Sequence, residues 1–391
     1  MVYGIFSGFA TFLPLIGGIV ADRWNYQTPL TLGAVVNALG CFLLSTGIHA
    51  LLYPALFIIS CGYGLFTPSI LTVLGHIYKE KPHLREAGFS IYYASINLGV
   101  FLALISLGFI AQQISWNAAF FTAGVVQVIG LFPIFWYLHK HKETHRALHK
   151  EQLLQRDIKT PLSKIGRDRA VVIFAACFFS IVFWIAYNQG FSSLSLFAKD
   201  YTDRMVLGWE IPSSWLLSSE SFGLILLGPL LAMLYKYLQK KRLDPSPMAK
   251  TALSLVFIAI CFGIMMWASL SIPSDAESAA VSPFFLLSAF LFMAVGEMLL
   301  APIGLSLVTQ LAPRHKTAFY VGVWYFCVGF AFYIGGVLAS FMERVGGLFH
   351  FFSIFVIITL IPAAILFFFS SKLTRMSHRH VDTPPPNEVG I

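Results

Sequence analysis

The chain has 391 residues, of which 57% are hydrophobic, 16% aromatic and only 11% charged, and its mean hydropathy is +0.76. A soluble domain needs a wetted surface that this composition does not supply, so the values exclude one and point to an all-α polytopic membrane protein. The net charge of +8 would suit a nucleic-acid partner, but membrane chains gather basic residues in cytoplasmic loops, and the position of each charge decides against nucleic acid.

In chain order, apolar runs long enough to cross about 30 Å of hydrocarbon fall at 2–20, 30–49, 51–77, 87–111, 117–138, 170–198, 213–238, 251–270, 283–311, 317–341 and 348–371. That predicts eleven transmembrane helices. Pro14, Pro68, Pro133, Pro229 and Pro302 lie inside these runs, as membrane helices allow where neighbours and waters satisfy the freed backbone groups. The five cysteines are scattered through the runs and read as small core residues, not as a disulfide framework or metal knuckle.

Alternate loops hold Arg23, then Lys79, Lys81 and Arg85, then nine basic residues from Lys140 to Arg169, then five from Lys236 to Lys250, then Arg314 and Lys316, then Lys372, Arg375 and Arg379. Together these are 23 of the 26 basic residues; the opposite loops have Lys199, Arg204 and Arg344. The first set is therefore cytoplasmic, which puts the amino terminus outside and the carboxyl terminus inside. This placement leaves no Lys or Arg for the membrane interior. Glu220 and Glu297 are the acids that remain within spans.

The basic stretch at 139–169 divides five spans from six. The expected organisation is a bundle over 1–138 that lacks its first helix, a cytoplasmic linker at 139–169, a six-span bundle over 170–371 and a cytoplasmic tail at 372–391. In the linker, His141, His145 and His149 repeat every four residues. Their interleaving with Lys and Arg below a span favours contact with anionic headgroups over a metal site, and no metal is expected.

Glu297 stands alone in "FLFMAVGEMLLAPIGLSLV". A carboxylate at the centre of a membrane helix costs about 2.5–3.5 kcal/mol on insertion scales, so such residues usually face a cavity and act there. Desolvation favours its neutral form and an approaching ammonium its charged form, so one site can exchange a proton for an amine. A structural, permanently protonated Glu is the alternative. Asn97, mid-span, offers a donor and an acceptor to a peptide backbone, or else an interhelical bond. Tyr92, Tyr93 and Trp324 suit either a permissive pocket or packing. Asn188 and Gln189 form a polar pair in an apolar helix. Glu220 is assigned either to the site or to a solvated outer mouth. Gly17 and Gly18 allow close helix approach, and Asp22 with Arg23 ends the first span.

The segments "YGIFSGFATFLPLIGGIVADR", "CGYGLFTPSILTVLGHIY", "REAGFSIYYASINLGVFLA", "VFWIAYNQGFSSLSLFA" and "FMAVGEMLLAPIGLSLVTQLAP" occur in that order. They resemble the successive signatures of the proton-dependent oligopeptide transporters, in the major facilitator superfamily. The resemblance implies a two-bundle fold and symport of di- and tripeptides with protons by alternating access, with no cofactor beyond the proton gradient and no enzymatic activity. It implies that Glu297 and Glu220 couple protons and hold the substrate amino group. Asn97, Tyr92, Tyr93, Asn188, Gln189 and Trp324 line the substrate, and Gly17, Gly18, Asp22 and Arg23 form a cytoplasmic gating loop. Partners are then small peptides, protons and the lipid bilayer, in a bacterial inner membrane.

The chain also departs from the pattern. The family's opening helix with Glu-x-x-Glu-Arg is not found, Thr67 stands where the family has a fourth-helix lysine, and Asn188 replaces a seventh-helix glutamate. Glu220 aligns with an eighth-helix asparagine. Two other readings stay open on these grounds: a transporter-like sensor that binds without a full cycle, and a transporter of another small amino compound.

Overall fold

The computed structural model describes residues 2–24, 26–78, 82–142, 163–206, 209–210, 213–241, 243–272, 280–313, 316–342 and 345–378. Residues 143–162 of the basic linker, with His145 and His149, and the tail from 379 lie outside the described residues. The helices are α1 (Val2–Arg23), α2 (Gln27–Ser45), α3 (Leu52–Ile77), α4 (Pro82–Gln113), α5 (Trp116–Lys140), α6 (Lys164–Tyr187), the short α7 (Ser193–Asp200), α8 (Ser213–Lys240), α9 (Pro247–Ser269), α10 (Pro283–Leu311), α11 (Thr317–Ala339) and α12 (Leu348–Met376). A two-residue hairpin, β1 (Met205–Val206) with β2 (Trp209–Glu210), is the one sheet among the described residues. The all-α expectation holds.

Each of the eleven predicted runs overlaps a long helix, and α10 matches its run at both ends. Among the described residues, nine helices are long and apolar enough to cross a membrane. Large apolar side chains stand outward, such as Phe132 at 75% and Phe368 at 81% exposure. In water such faces would aggregate; in lipid they are the solvated surface. Polar residues inside the helices bond to their own backbone: Ser60 donates to the Leu56 carbonyl, Ser69 to Leu65 and Thr72 to Pro68, which removes most of their cost in hydrocarbon.

Two expectations are corrected. The run at 170–198 is not one helix, because the backbone leaves α6 after Tyr187 and passes through a 3₁₀ turn, Asn188–Phe191, into α7. And two basic residues assigned to loops lie in the first turns of helices. Lys250 lies in the opening turn of α9 at 1% exposure, and Arg85 lies in α4 at 5%. Charge counting missed both, because it assigned every cation near a span end to the adjoining loop.

The chain packs as two units. One comprises Met1–Lys81, Leu102–Ile173 and Leu305–Gly329; the other comprises Pro82–Phe101, Phe174–Gly304 and Phe330–Ile391. In the first, Gly17 packs so closely on α3 that a Cβ would lie 2.0 Å from the Gly64 carbonyl oxygen. Ala21, Tyr26, Val73 and Ala318 form a small core there. In the second, Leu224, Leu231 and Tyr235 of α8 pack against Ala294, Met298, Leu299 and Ile303 of α10, with Tyr93 of α4 at the edge.

Candidate functional site

Glu297 and Glu220 come together in the second unit. Glu297 lies near the middle of α10 and Glu220 in the first third of α8, at 3% and 6% exposure. Glu220 is thus buried and does not open into a solvated mouth. The two carboxyl groups interact side chain to side chain. Each also receives a tyrosine hydroxyl: Tyr93 donates to Glu297 Oε1, and Tyr187 donates to Glu220 Oε1 at 2.7 Å.

Backbone geometry explains how the tyrosines arrive. At Gly228 of α8 a Cβ would fall 2.5 Å from the Ala94 Cβ of α4. Only glycine lets the two helices approach this closely, and the approach carries Tyr93, the neighbour of Ala94, to α10. Tyr187 is held by rings: it stacks on Phe183 and Phe332, and meets Trp184 edge-on with centroids 4.9 Å apart. Its hydroxyl is thereby aimed from the last turn of α6.

The site contains an unmatched atom. Glu297 Oε2 is buried with no hydrogen-bond donor among the described groups, although buried carboxylate oxygens are almost always paired. The groups acting on Glu297 are Glu220, Tyr93 and Tyr187; those acting on Glu220 are Glu297 and Tyr187. Neither set includes a cation. Two acids side by side in a dry setting are compatible when a proton lies between them, and that proton would also satisfy Oε2.

The other candidates divide between the two units. In the second, Tyr92 and Asn97 are half-buried, and Asn97 Nδ2 donates to the Tyr93 carbonyl at 3.0 Å. Gln189 is fully buried: it donates to the Gly335 carbonyl at 2.9 Å and accepts from Ser193 Oγ at 2.8 Å. Its amide bonds therefore tie the 3₁₀ turn to α11. Half-buried Asn188 sits against Gly335, where a Cβ would lie 2.8 Å from the Asn188 Cβ.

In the first unit, Trp324 is buried and Thr67 is buried near Tyr63. Gly18 faces the Ala318 carbonyl and Arg23 is exposed. Asp22 accepts from the backbone N–H groups of Ala318 at 3.0 Å and Phe319 at 2.7 Å. It therefore caps α11, satisfying two of the four amides that a helix start leaves open.

The Major Facilitator Superfamily model matches residues 1–279. The chain belongs to that superfamily. It is a family of transporters and not an enzyme class. The chain is 28% identical over 388 residues to the peptide transporter YePEPT of Yersinia enterocolitica subsp. palearctica, covering 83% of this chain and 75% of that one. It is 25% identical over 384 residues to dipeptide and tripeptide permease B of Photorhabdus asymbiotica, covering 87% and 78%. Among solved structures, a POT family transporter in complex with 5-aminolevulinic acid superposes with a TM-score of 0.70 at 20% identity, over 94% of this chain and 87% of that one. The resemblance to oligopeptide transporters and the major facilitator fold are both borne out.

Sequence reasoning named Glu297, Glu220 and Tyr93 but missed Tyr187. The available signal was its position one residue before the polar pair in "WIAYNQG", which marks it as the last helical residue before a break.

Proposed function

We propose that this chain is a proton-coupled symporter of di- and tripeptides, working by alternating access in a bacterial inner membrane with its carboxyl terminus in the cytoplasm. One observation carries the reading: the Glu220–Glu297 pair is buried, bridged to Tyr93 and Tyr187, and has no cation among the described residues acting on either acid. Without cargo, a proton shared by the carboxyls holds the pair together. A peptide amino terminus supplies the missing positive charge, so its arrival releases the proton, and its departure requires a new one. Tyr93 and Tyr187 keep the acids in place through both states. Asn97 and Tyr92, on the helix that bears Tyr93, are assigned to the peptide backbone and side chains. The names of the relatives support peptide cargo.

A second reading, transport of another small amino compound, is favoured by Thr67 and Asn188, which leave the pair recognising an amine and supply no charge for a carboxylate. The deciding assay uses the full chain in liposomes with an inward proton gradient. Dialanine should accumulate and the amidated dipeptide should compete weakly. Equal competition by the amidated dipeptide and a simple amine replaces the peptide reading with the second. Glu297→Gln should abolish gradient-driven accumulation and retain exchange of dialanine; accumulation equal to the unmodified chain removes Glu297 from coupling.

A further inference from the structure

A second buried charge cluster in the same unit contains neither Glu220 nor Glu297. Lys250 Nζ lies 2.6 Å from Glu86 Oε2 and 2.8 Å from Asp244 Oδ1, and 4.2 Å from the centroid of the Tyr235 ring. Lys250 and Glu86 are almost wholly buried, at 1% and 4% exposure, whereas the Asp244 side chain keeps 20%. The partners come from distant parts of the chain. Glu86 is near the start of α4, Tyr235 near the end of α8, Asp244 in the connection that follows, and Lys250 in the first turn of α9.

Helix propensity does not explain the lysine. The N-terminal end of a helix carries partial positive charge, so a cation there is set against the dipole. Lys250 is held there by its two acidic partners and the Tyr235 ring face. Such a buried pair adds little net stability over well-packed apolar groups, but leaving one member unpaired is strongly unfavourable. It therefore specifies one arrangement of its helices more than it strengthens them.

The two acids differ in a way that suits a contact that opens. Asp244 and Lys250 are six residues apart and stay together whatever α4 does. Glu86 is 164 positions away. If α4 withdraws, Lys250 keeps Asp244, and Glu86, one turn from its helix start, reaches water. Neither charge is stranded. The charge distribution of the loops assigns this end of α4, α8 and α9 to the cytoplasmic face.

We infer that Lys250, Glu86, Asp244 and Tyr235 form an inner-face latch: the Lys250–Glu86 contact closes the cytoplasmic ends of α4 and α9, and it parts and re-forms once in each transport cycle. The inference rests on the alternating-access reading above, but not on the identity of the cargo.

Ser90, fully buried one turn beyond Glu86, provides a reporter. Ser90→Cys is reacted from the cytoplasmic side with a membrane-impermeant maleimide in the full-length protein, and modification at position 90 is read by mass spectrometry. Glu86→Gln and Lys250→Met should each raise the labelling rate by roughly tenfold, since losing one partner of a buried pair shifts the population away from the closed form. The exchanged pair, Glu86→Lys with Lys250→Glu, should bring it back towards the starting value. With the latch intact, dialanine on the inside should alter the labelling of Ser90→Cys by itself, which tests the idea even if the single variants fold poorly. Labelling indifferent to dialanine and to the variants, with only a lower Tm, makes the cluster a fixed strut and overturns the proposal. A responsive label without dialanine uptake leaves the latch and removes the peptide cargo; proton-driven uptake with an unresponsive label does the reverse.

Discussion

Glu297 and Glu86 are both buried carboxyl groups of the second unit, at 3% and 4% exposure, but Glu86 meets an ammonium while Glu297 meets another acid. In the first arrangement the charges are matched, the Lys250 ammonium lying against two carboxylates and a ring face, although Asp244 Oδ1 and the Tyr235 hydroxyl make no hydrogen bond among the described groups. In the second they are not, since two acids meet and the described groups that act on them include no cation. A charge-matched cluster holds helices in register, whereas a pair of acids has room for a cation that comes and goes. Glu86 and Tyr93 also ride on one helix, two turns apart, or about 10 Å at 1.5 Å per residue. Any shift of α4 that parts Glu86 from Lys250 also moves the hydroxyl that holds Glu297.

Removing the defining charge of each cluster should separate the two roles most sharply. Glu297→Gln keeps shape and hydrogen bonding but loses the proton, so gradient-driven dialanine accumulation should fall by about a hundredfold or more, given the several kcal/mol carried by intramembrane charge, with little change in Tm. Lys250→Met should do the opposite. Stripping a buried pair of one member costs about 3–5 kcal/mol, read as a lower Tm in detergent, and Glu86→Gln in the same chain should recover part of the loss. Were Glu297→Gln to unfold the protein and Lys250→Met to leave Tm unchanged, the contrast between the clusters would be reversed.

The helices were legible in the sequence because lipid requires long apolar runs, and α10 agreed to the residue. Glu297 was legible for the same reason, as the exception to a run. Lys250 was not, since it borders a loop rich in cations, and its partner Glu86 lies 164 positions away, a distance over which a single sequence carries no pairing signal. A local cue was present in "SPMAK". Ser246 caps α9 by accepting from the Ala249 N–H, and Pro247 occupies the first helical position, so Ser-Pro places Lys250 inside the helix. The break after Tyr187 had its own cue in the consecutive Asn, Gln and Gly, but the apolar residues on both sides outweighed it.

Smaller changes sharpen the account of the acid pair. Tyr93→Phe and Tyr187→Phe each delete one hydrogen bond to a carboxyl, worth about 1.5–3 kcal/mol where the acceptor is charged. Each should lower the initial rate of dialanine uptake by about tenfold or more, and the double variant should lose less than the product of the two, because both act on one coupled pair. Fully multiplicative losses would separate the two carboxyls into independent sites.

The smallest expected effect on the fold is at Asn97. Its described bond is a local one, from Nδ2 to the Tyr93 carbonyl one turn back, and that carbonyl already belongs to the ladder of α4. Asn97→Ala should therefore change Tm little, since surveyed interhelical side-chain bonds in membranes average about 0.6 kcal/mol and this one is within a helix. A residue with so little structural work and two unlike hydrogen-bonding groups is free to read a peptide bond. KM for dialanine should rise several-fold while the proton dependence of uptake keeps its shape, because Glu220 and Glu297 are untouched. A large fall in Tm with KM unchanged would make Asn97 a packing residue, and would confine cargo recognition to the acid pair and its tyrosines.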